Sequence, residues 1–134
     1  MTASDISAAC VLNAEENARR NGVRLSVRQG DLFEQITDRF DLITCNPPYL
    51  SDADMRALQE ELRYEPAIAL HGGADGLDLY RRIAETYRAH LNSGGALLLE
   101  IGATQAEPVG RLFPGAALHY DYQKLPRFIV VEDV

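Results

Sequence analysis

Basic residues are in short supply: 13 Lys and Arg against 20 Asp and Glu leave a formal charge of −7 on 134 residues. Binding to duplex DNA draws most of its non-specific affinity from Lys and Arg on phosphates. A chain with this balance suits that task poorly unless another domain supplies the charge, so no direct nucleic-acid partner is expected. Tryptophan is absent, and cysteine occurs only at Cys10 and Cys45. These two fall in a predicted helix and a predicted strand. They read as small buried residues in a reducing cytoplasm, with no disulfide and no metal site. No apolar run approaches the length of a membrane span, and the first residues lack the charged-then-apolar pattern of a signal peptide. Repeats and low-complexity segments are missing too. What remains is a chain of one-domain length with 46% apolar residues, enough for a real core.

Apolar spacing predicts alternating strands and helices. Met1 to Asp5 reads as the end of a strand, and Ser7 as the N-cap of a helix that stops at Asn21-Gly22. Val23 to Val27 alternates as a strand, broken by Gly30-Asp31. Phe40 to Cys45 is the next strand, read as buried, with a short helix from Ser51. Arg63 to Asp78, with Pro66, Gly72, Gly73 and Gly76, reads as a loop. A firmer helix carries Tyr80, Ile83, Ala84, Tyr87 and Leu91 on one stripe and ends at Asn92-Ser93-Gly94-Gly95. Ala96 to Ile101 is a strand of the fully buried kind. A helix over Thr104 to Phe113 and two strands, Ala117 to Tyr122 and Arg127 to Glu132, complete the chain. Such alternation, closed by a hairpin, predicts an α/β doubly wound sheet.

The most informative residues are Asn46-Pro47-Pro48-Tyr49, at the carboxyl end of the Phe40–Cys45 strand. Open α/β sheets bind ligands at that end. Neither proline has a backbone N–H, and each pushes the residue before it towards extended geometry. The turn is therefore stiff. It can offer the Asn46 side-chain oxygen and the Pro47 carbonyl as paired acceptors to a planar –NH2 group, which has two donors. Tyr49 adds a flat face to pack against that group. An amide or aromatic amine nitrogen is a poor nucleophile because its lone pair is delocalised. Two acceptors on its hydrogens aim the lone pair at an electrophile and stabilise the charge that grows on nitrogen. A bare Pro-Pro more often only ends a strand; Asn before it and Tyr after it favour the chemical reading. In a doubly wound sheet, an acid after a strand can take the ribose hydroxyls of a nucleoside cofactor. Asp5 stands in such a place, and Asp31, after the following strand, can bond an adenine amino group. Position alone makes each more often a cap or turn residue.

The combination of Asp5-Ile6-Ser7, Gly30-Asp31-Leu32-Phe33, Asn46-Pro47-Pro48-Tyr49, Arg63-Tyr64-Glu65-Pro66, Ala69-Leu70, Gly72-Gly73-Ala74-Asp75-Gly76-Leu77 and Leu99-Glu100-Ile101-Gly102 resembles the peptide chain release factor N(5)-glutamine methyltransferases of the HemK type. Enzymes acting on adenine, guanine or ribosomal protein glutamine carry similar tetrapeptides. The stretch from Tyr64 to Leu77 is the more discriminating part and looks like the glutamine branch.

The resemblance implies a Rossmann-like S-adenosylmethionine-dependent methyltransferase domain, mostly parallel, with a C-terminal antiparallel hairpin. It implies catalysis in the cytoplasm on the glutamine of a Gly-Gly-Gln loop in a release factor. Asn46 and Pro47 would hold the amide, with Pro48 and Tyr49 beside it. Asp5 would bind the cofactor ribose, Asp31 and Leu32 would lie near its adenine, and Asn46 would lie close to its methionine end. Glu65 reads as a loop organiser, Glu100 as a strand-end polar contact, and His71 as neither catalytic nor metal-binding.

The family carries a first strand and a Gly-x-Gly-x-Gly loop ahead of the position matching Asp5. Residues 1–134 therefore read as an N-terminally truncated, partial catalytic domain, expected on its own to bind S-adenosylmethionine weakly or not at all. Without that strand, the strands ending at Asp5 and Cys45 either expose edges or close on each other. Two alternatives stay open: a nucleic-acid amino-group methyltransferase, against which the −7 charge speaks, and an inactive fragment.

Overall fold

The computed structural model describes residues 1–132. The chain falls into two compact units, Met1–Asp38 and Arg39–Val134.

The first unit is β1 (Thr2–Asp5), α1 (Ala8–Arg20) and β2 (Ser26–Gln29). β1 and β2 pair in parallel, with Asp5 opposite Gln29, and α1 is the crossover that parallel pairing requires. Ser7 caps the helix as expected: its side chain accepts from the Cys10 N–H at 3.4 Å. Gly22, at φ +64°, follows the helix end. β2 starts at Ser26 rather than Val23. Ala18 is the one buried residue of α1, and Cys10 is exposed, against expectation. Two strands offer little area, so Leu12 stays 66% exposed on the same helix.

The second unit has four strands in the order β3-β4-β6-β5. In chain order it runs β3 (Phe40–Cys45), α2 (Asp52–Arg56), α3 (Ala67–Leu70), α4 (Asp78–Thr86), β4 (Leu91–Glu100), α5 (Ala106–Leu112), β5 (Ala117–Tyr120) and β6 (Pro126–Glu132). β3 and β4 are parallel, whereas β6 runs antiparallel to both β4 and β5. This is the expected α/β arrangement of parallel pairs closed by a C-terminal hairpin. Within its own unit, β3 is an edge strand of the four-stranded sheet, and β1 pairs with β2 alone.

The core of this unit is built from α4, β4, α5 and β6. Tyr80, Leu97, Leu99, Ile101 and Val109 are fully buried, and Ile83, Leu91, Phe113 and Ile129 nearly so. Along β4, buried Leu97 and Leu99 alternate with half-buried Leu98 and Glu100, so this strand has one face on the core and is not fully buried, against expectation.

Three further expectations need correction. β3 is not buried, since Leu42 is 60% exposed and Thr44 is exposed. The cause is its edge position, which leaves one flank without a neighbour. β4 begins at Leu91, before the Gly94-Gly95 pair. Those glycines sit where the β3–β4 register shifts between Phe40 and Leu42, so they mark an irregularity within a strand. The stretch read as a loop contains α3, and a 3-10 turn over Glu60–Tyr64 overlaps its start.

Candidate functional site

In the first unit, parallel pairing brings the predicted nucleoside-side residues to one end of the sheet. Asp5 ends β1, and Asp31 and Leu32 follow β2 after Gly30. The Gly30 N–H donates to the Asp5 carbonyl at 3.0 Å, and the Ser4 hydroxyl to the Leu32 carbonyl at 3.0 Å. Leu32 has φ +52°, so the turn is sharp. The exposed Asp5 carboxylate accepts the Ser7 N–H at Oδ1, 2.8 Å away. Oδ2 takes no hydrogen bond among the described residues. An acceptor-only group with one oxygen open fits a hydroxyl pair.

In the second unit, β3 delivers Asn46 to the carboxyl end of the sheet, with Cys45 beside Leu99 of β4. Asn46 is exposed, Pro47 buried, and Pro48 and Tyr49 half-buried. Thr44, Cys45, Asn46, Leu98 and Glu100 line a shallow hollow of about 190 Å³. Neither the Asn46 side chain nor the Pro47 carbonyl enters a hydrogen bond among the described residues. Neither oxygen of the pair read from the sequence is engaged by another described residue.

The rest of the corner is tied down. The Leu50 N–H donates to the Leu70 carbonyl, and the Gly72 N–H to the Leu50 carbonyl, both at 2.9 Å. Gly72 must lack a side chain, because a Cβ there would lie 2.7 Å from the Pro48 carbonyl oxygen and 2.8 Å from the Tyr49 Cα. The Gln105 side chain donates to the Tyr49 carbonyl at 2.9 Å and to the Gly76 carbonyl at 3.2 Å. Its own oxygen accepts the Gly102 N–H at 3.0 Å.

Tyr49 also reaches Glu100: its hydroxyl lies 3.5 Å from the carboxylate, a long and weak hydrogen bond. Burial raises the phenol above its ordinary range, the Glu100 charge raises it further, and Arg127 opposes. Arg127 lies 4.0 Å from Glu100 and 2.9 Å from Asp121. Beneath the site, the buried Tyr80 donates its hydroxyl to the Glu100 backbone carbonyl at 2.8 Å. Glu100 is therefore a strand-end polar contact, as expected.

Burial pushes the Cys45 thiol up to about 11. At pH 8 about one molecule in a thousand then carries the reactive thiolate. Iodoacetamide at that pH is expected to label the exposed Cys10 and leave Cys45 largely untouched, read by mass spectrometry. Comparable labelling at both sites would contradict the raised Cys45 thiol.

Glu65 does not organise its loop by side-chain bonds: it is exposed, and its side chain has no partner among the described residues. His71 pairs instead with Asp52, at 2.7 Å, beside the Leu50–His71 bridge. Among the described residues, no cluster of three or more His, Cys, Asp or Glu could hold a metal ion. Sequence reasoning missed Gln105, Gly72, Tyr80 and Arg127. Their roles come from tertiary contacts, and the one local hint is Gly102, three residues before Gln105.

The fold is that of methyltransferases. A methyltransferase from Pyrococcus furiosus superposes with a TM-score of 0.70 at 15% identity, over 98% of this chain and 61% of that one. The family model for the methyltransferase small domain matches residues 1–74, and the chain belongs to that family. A release factor glutamine methyltransferase of Geobacter sulfurreducens is 52% identical over 102 residues, 75% of this chain and 36% of that protein. A ribosomal protein uL3 glutamine methyltransferase of Bordetella pertussis is 48% identical over 103 residues, 75% of this chain and 35% of that protein. The chain therefore spans well under half the length of these relatives. No helix among the described residues is long and apolar enough to cross a membrane.

Proposed function

We propose that residues 1–134 are part of the catalytic domain of an S-adenosylmethionine-dependent protein-(glutamine-N5) methyltransferase. Its target is the Gly-Gly-Gln glutamine of a peptide chain release factor, in the cytoplasm. The observation that carries the reading is the open pair of acceptors, the Asn46 side chain and the Pro47 carbonyl, on a corner otherwise held by hydrogen bonds. The name of the Geobacter sulfurreducens relative supports the release factor as substrate.

When bound, S-adenosylmethionine supplies an activated methyl group on a sulfonium. Asp5 would hold its ribose, and Asp31 and Leu32 would be the residues for the adenine. Asn46 and Pro47 would accept the two N–H groups of the glutamine amide and so fix the plane of its nitrogen for attack on a methyl donor. The same two oxygens stabilise the positive charge that develops on nitrogen. The Tyr49 ring limits the amide to one plane. No side chain is needed as a base, because the nitrogen becomes acidic only after it has gained the methyl group.

A second reading, a ribosomal protein glutamine as target, is favoured by the name of the Bordetella pertussis relative. The test joins residues 1–134 to the remaining N-terminal part of the Geobacter sulfurreducens enzyme. The fusion is then incubated with labelled S-adenosylmethionine and, separately, with release factor, ribosomal protein uL3, ribosomal RNA and DNA. Label on release factor glutamine is the expected result. Label on uL3 alone selects the second reading. Label on nucleic acid, or on nothing with a folded fusion, overturns both.

A further inference from the structure

We infer that Gln105 is a positioning residue for the amide-binding corner: one planar carboxamide fixes the backbone of Tyr49 and thereby aims Asn46 and Pro47. The inference rests on reading that corner as the glutamine site. Gln105 stands at the N-cap of α5, far along the chain from Asn46. Its Nε2 hydrogens divide between the carbonyls of Tyr49, at 2.9 Å, and Gly76, at 3.2 Å. Its Oε1 accepts from the Gly102 N–H at 3.0 Å, and its own N–H donates to the Gly102 carbonyl at 2.9 Å. The side chain uses both its donor and its acceptor ends.

Three chain segments meet at this amide: the Asn46–Tyr49 corner, the glycine-rich stretch from Gly72 to Gly76, and the turn that enters α5. Contact between the first two is close enough that a Cβ on Gly76 would overlap the Tyr49 carbonyl oxygen. Gly76 also has φ +76°, where glycine alone is unstrained. The prolines stiffen the corner but donate no hydrogen bonds, so they cannot anchor it to the rest of the fold. The anchor must come from a donor outside, and for the Tyr49 carbonyl Gln105 is that donor. By occupying that carbonyl, it takes Tyr49 out of the set of acceptors the corner offers to an incoming N–H. Misplacing a substrate-holding group by about 1 Å can cost about a hundredfold in rate, so an anchor of this kind matters to turnover.

Glutamate at this position would set a carboxylate against two carbonyl oxygens, and leucine would remove donors and acceptor while keeping much of the volume. Gln105→Leu and Gln105→Glu are therefore compared with the natural chain by two readouts. The first is NMR of the chain itself, on the Asn46 side-chain amide, the Tyr49 ring and the methyl groups of Leu97 and Val109. We expect the Asn46 and Tyr49 signals to shift or broaden, with the Leu97 and Val109 methyls unmoved. Unchanged Asn46 and Tyr49 signals would overturn the inference, and so would loss of all dispersed signals in both variants. The second is kinetics of the fusion described above: kcat should fall about tenfold or more, with KM for S-adenosylmethionine unchanged. A fall in both variants only through KM for the cofactor would also overturn it. The NMR readout needs no catalysis. If the natural fusion transfers no methyl group while the NMR shifts occur, the functional reading fails and the anchoring role of Gln105 stands.

Discussion

Asn46→Ala is expected to lower methyl transfer by the fusion enzyme by about a hundred- to a thousandfold. That is the usual loss when one preorganised partner of a developing charge is removed. The side chain removed is exposed and takes part in no hydrogen bond among the described residues, so the fold has little to lose. Stability should change by no more than about 0.5 kcal/mol, as for ordinary surface substitutions. The combination is diagnostic. A catalytic collapse with an unchanged denaturation midpoint separates a role in chemistry from a role in folding. The assay is single-turnover transfer of label to release factor, with urea unfolding of the same preparation as control. Turnover within a few fold of the natural protein would remove Asn46 from the mechanism.

Tyr80→Ala is expected to do the opposite and act on the fold. Tyr80 is fully buried and lies on α4 against the central strands of the second unit. Emptying an aromatic site of this kind costs about 3–5 kcal/mol through lost burial and the cavity left behind. Small domains have only about 5–15 kcal/mol in total, so much of the population should unfold under mild denaturant. Tyr80→Phe keeps the ring and removes only the hydroxyl that donates to the Glu100 carbonyl. That change should cost about 1–2 kcal/mol, the penalty for leaving a buried acceptor unpaired. Tyr122→Ala, at a fully exposed side chain, is the reference and should be nearly silent. The check is a urea series on the four proteins. Equal midpoints for Tyr80→Ala and Tyr122→Ala would show that α4 does not support the site.

The features legible in the sequence were those set by nearest neighbours. Ser7 announced its helix because a cap acts on the N–H groups of the next turn. The run from Ala96 to Ile101 announced a strand because a short apolar run is a property of the segment itself, although only one face of it is buried. The Asn46–Tyr49 corner was legible because two prolines restrict the backbone wherever they stand.

Features that depend on distant partners were not legible. The exposure of Leu42 follows from β3 lying at an edge, which its own six residues do not encode. The early start of β4 at Leu91 depends on pairing with Phe40 across the sheet. α3 and the preceding 3-10 turn are too short to display a helical period. Gln105 looks like any polar residue at a helix start until the fold carries Tyr49 and Gly76 to it. The exposed Cys10 shows the same limit: a small apolar side chain is buried only when there is a surface to cover it.

The central claim is that the Asn46 side chain and the Pro47 carbonyl together hold a glutamine carboxamide. The most direct measurement is a crystal structure of the fusion enzyme with S-adenosylhomocysteine and a peptide containing Gly-Gly-Gln. The glutamine side-chain nitrogen is expected within about 3.2 Å of both the Asn46 Oδ1 and the Pro47 oxygen, an ordinary hydrogen-bond distance. A glutamine bound elsewhere, or an Asn46 turned away from it with the nitrogen held by other groups, would contradict the account.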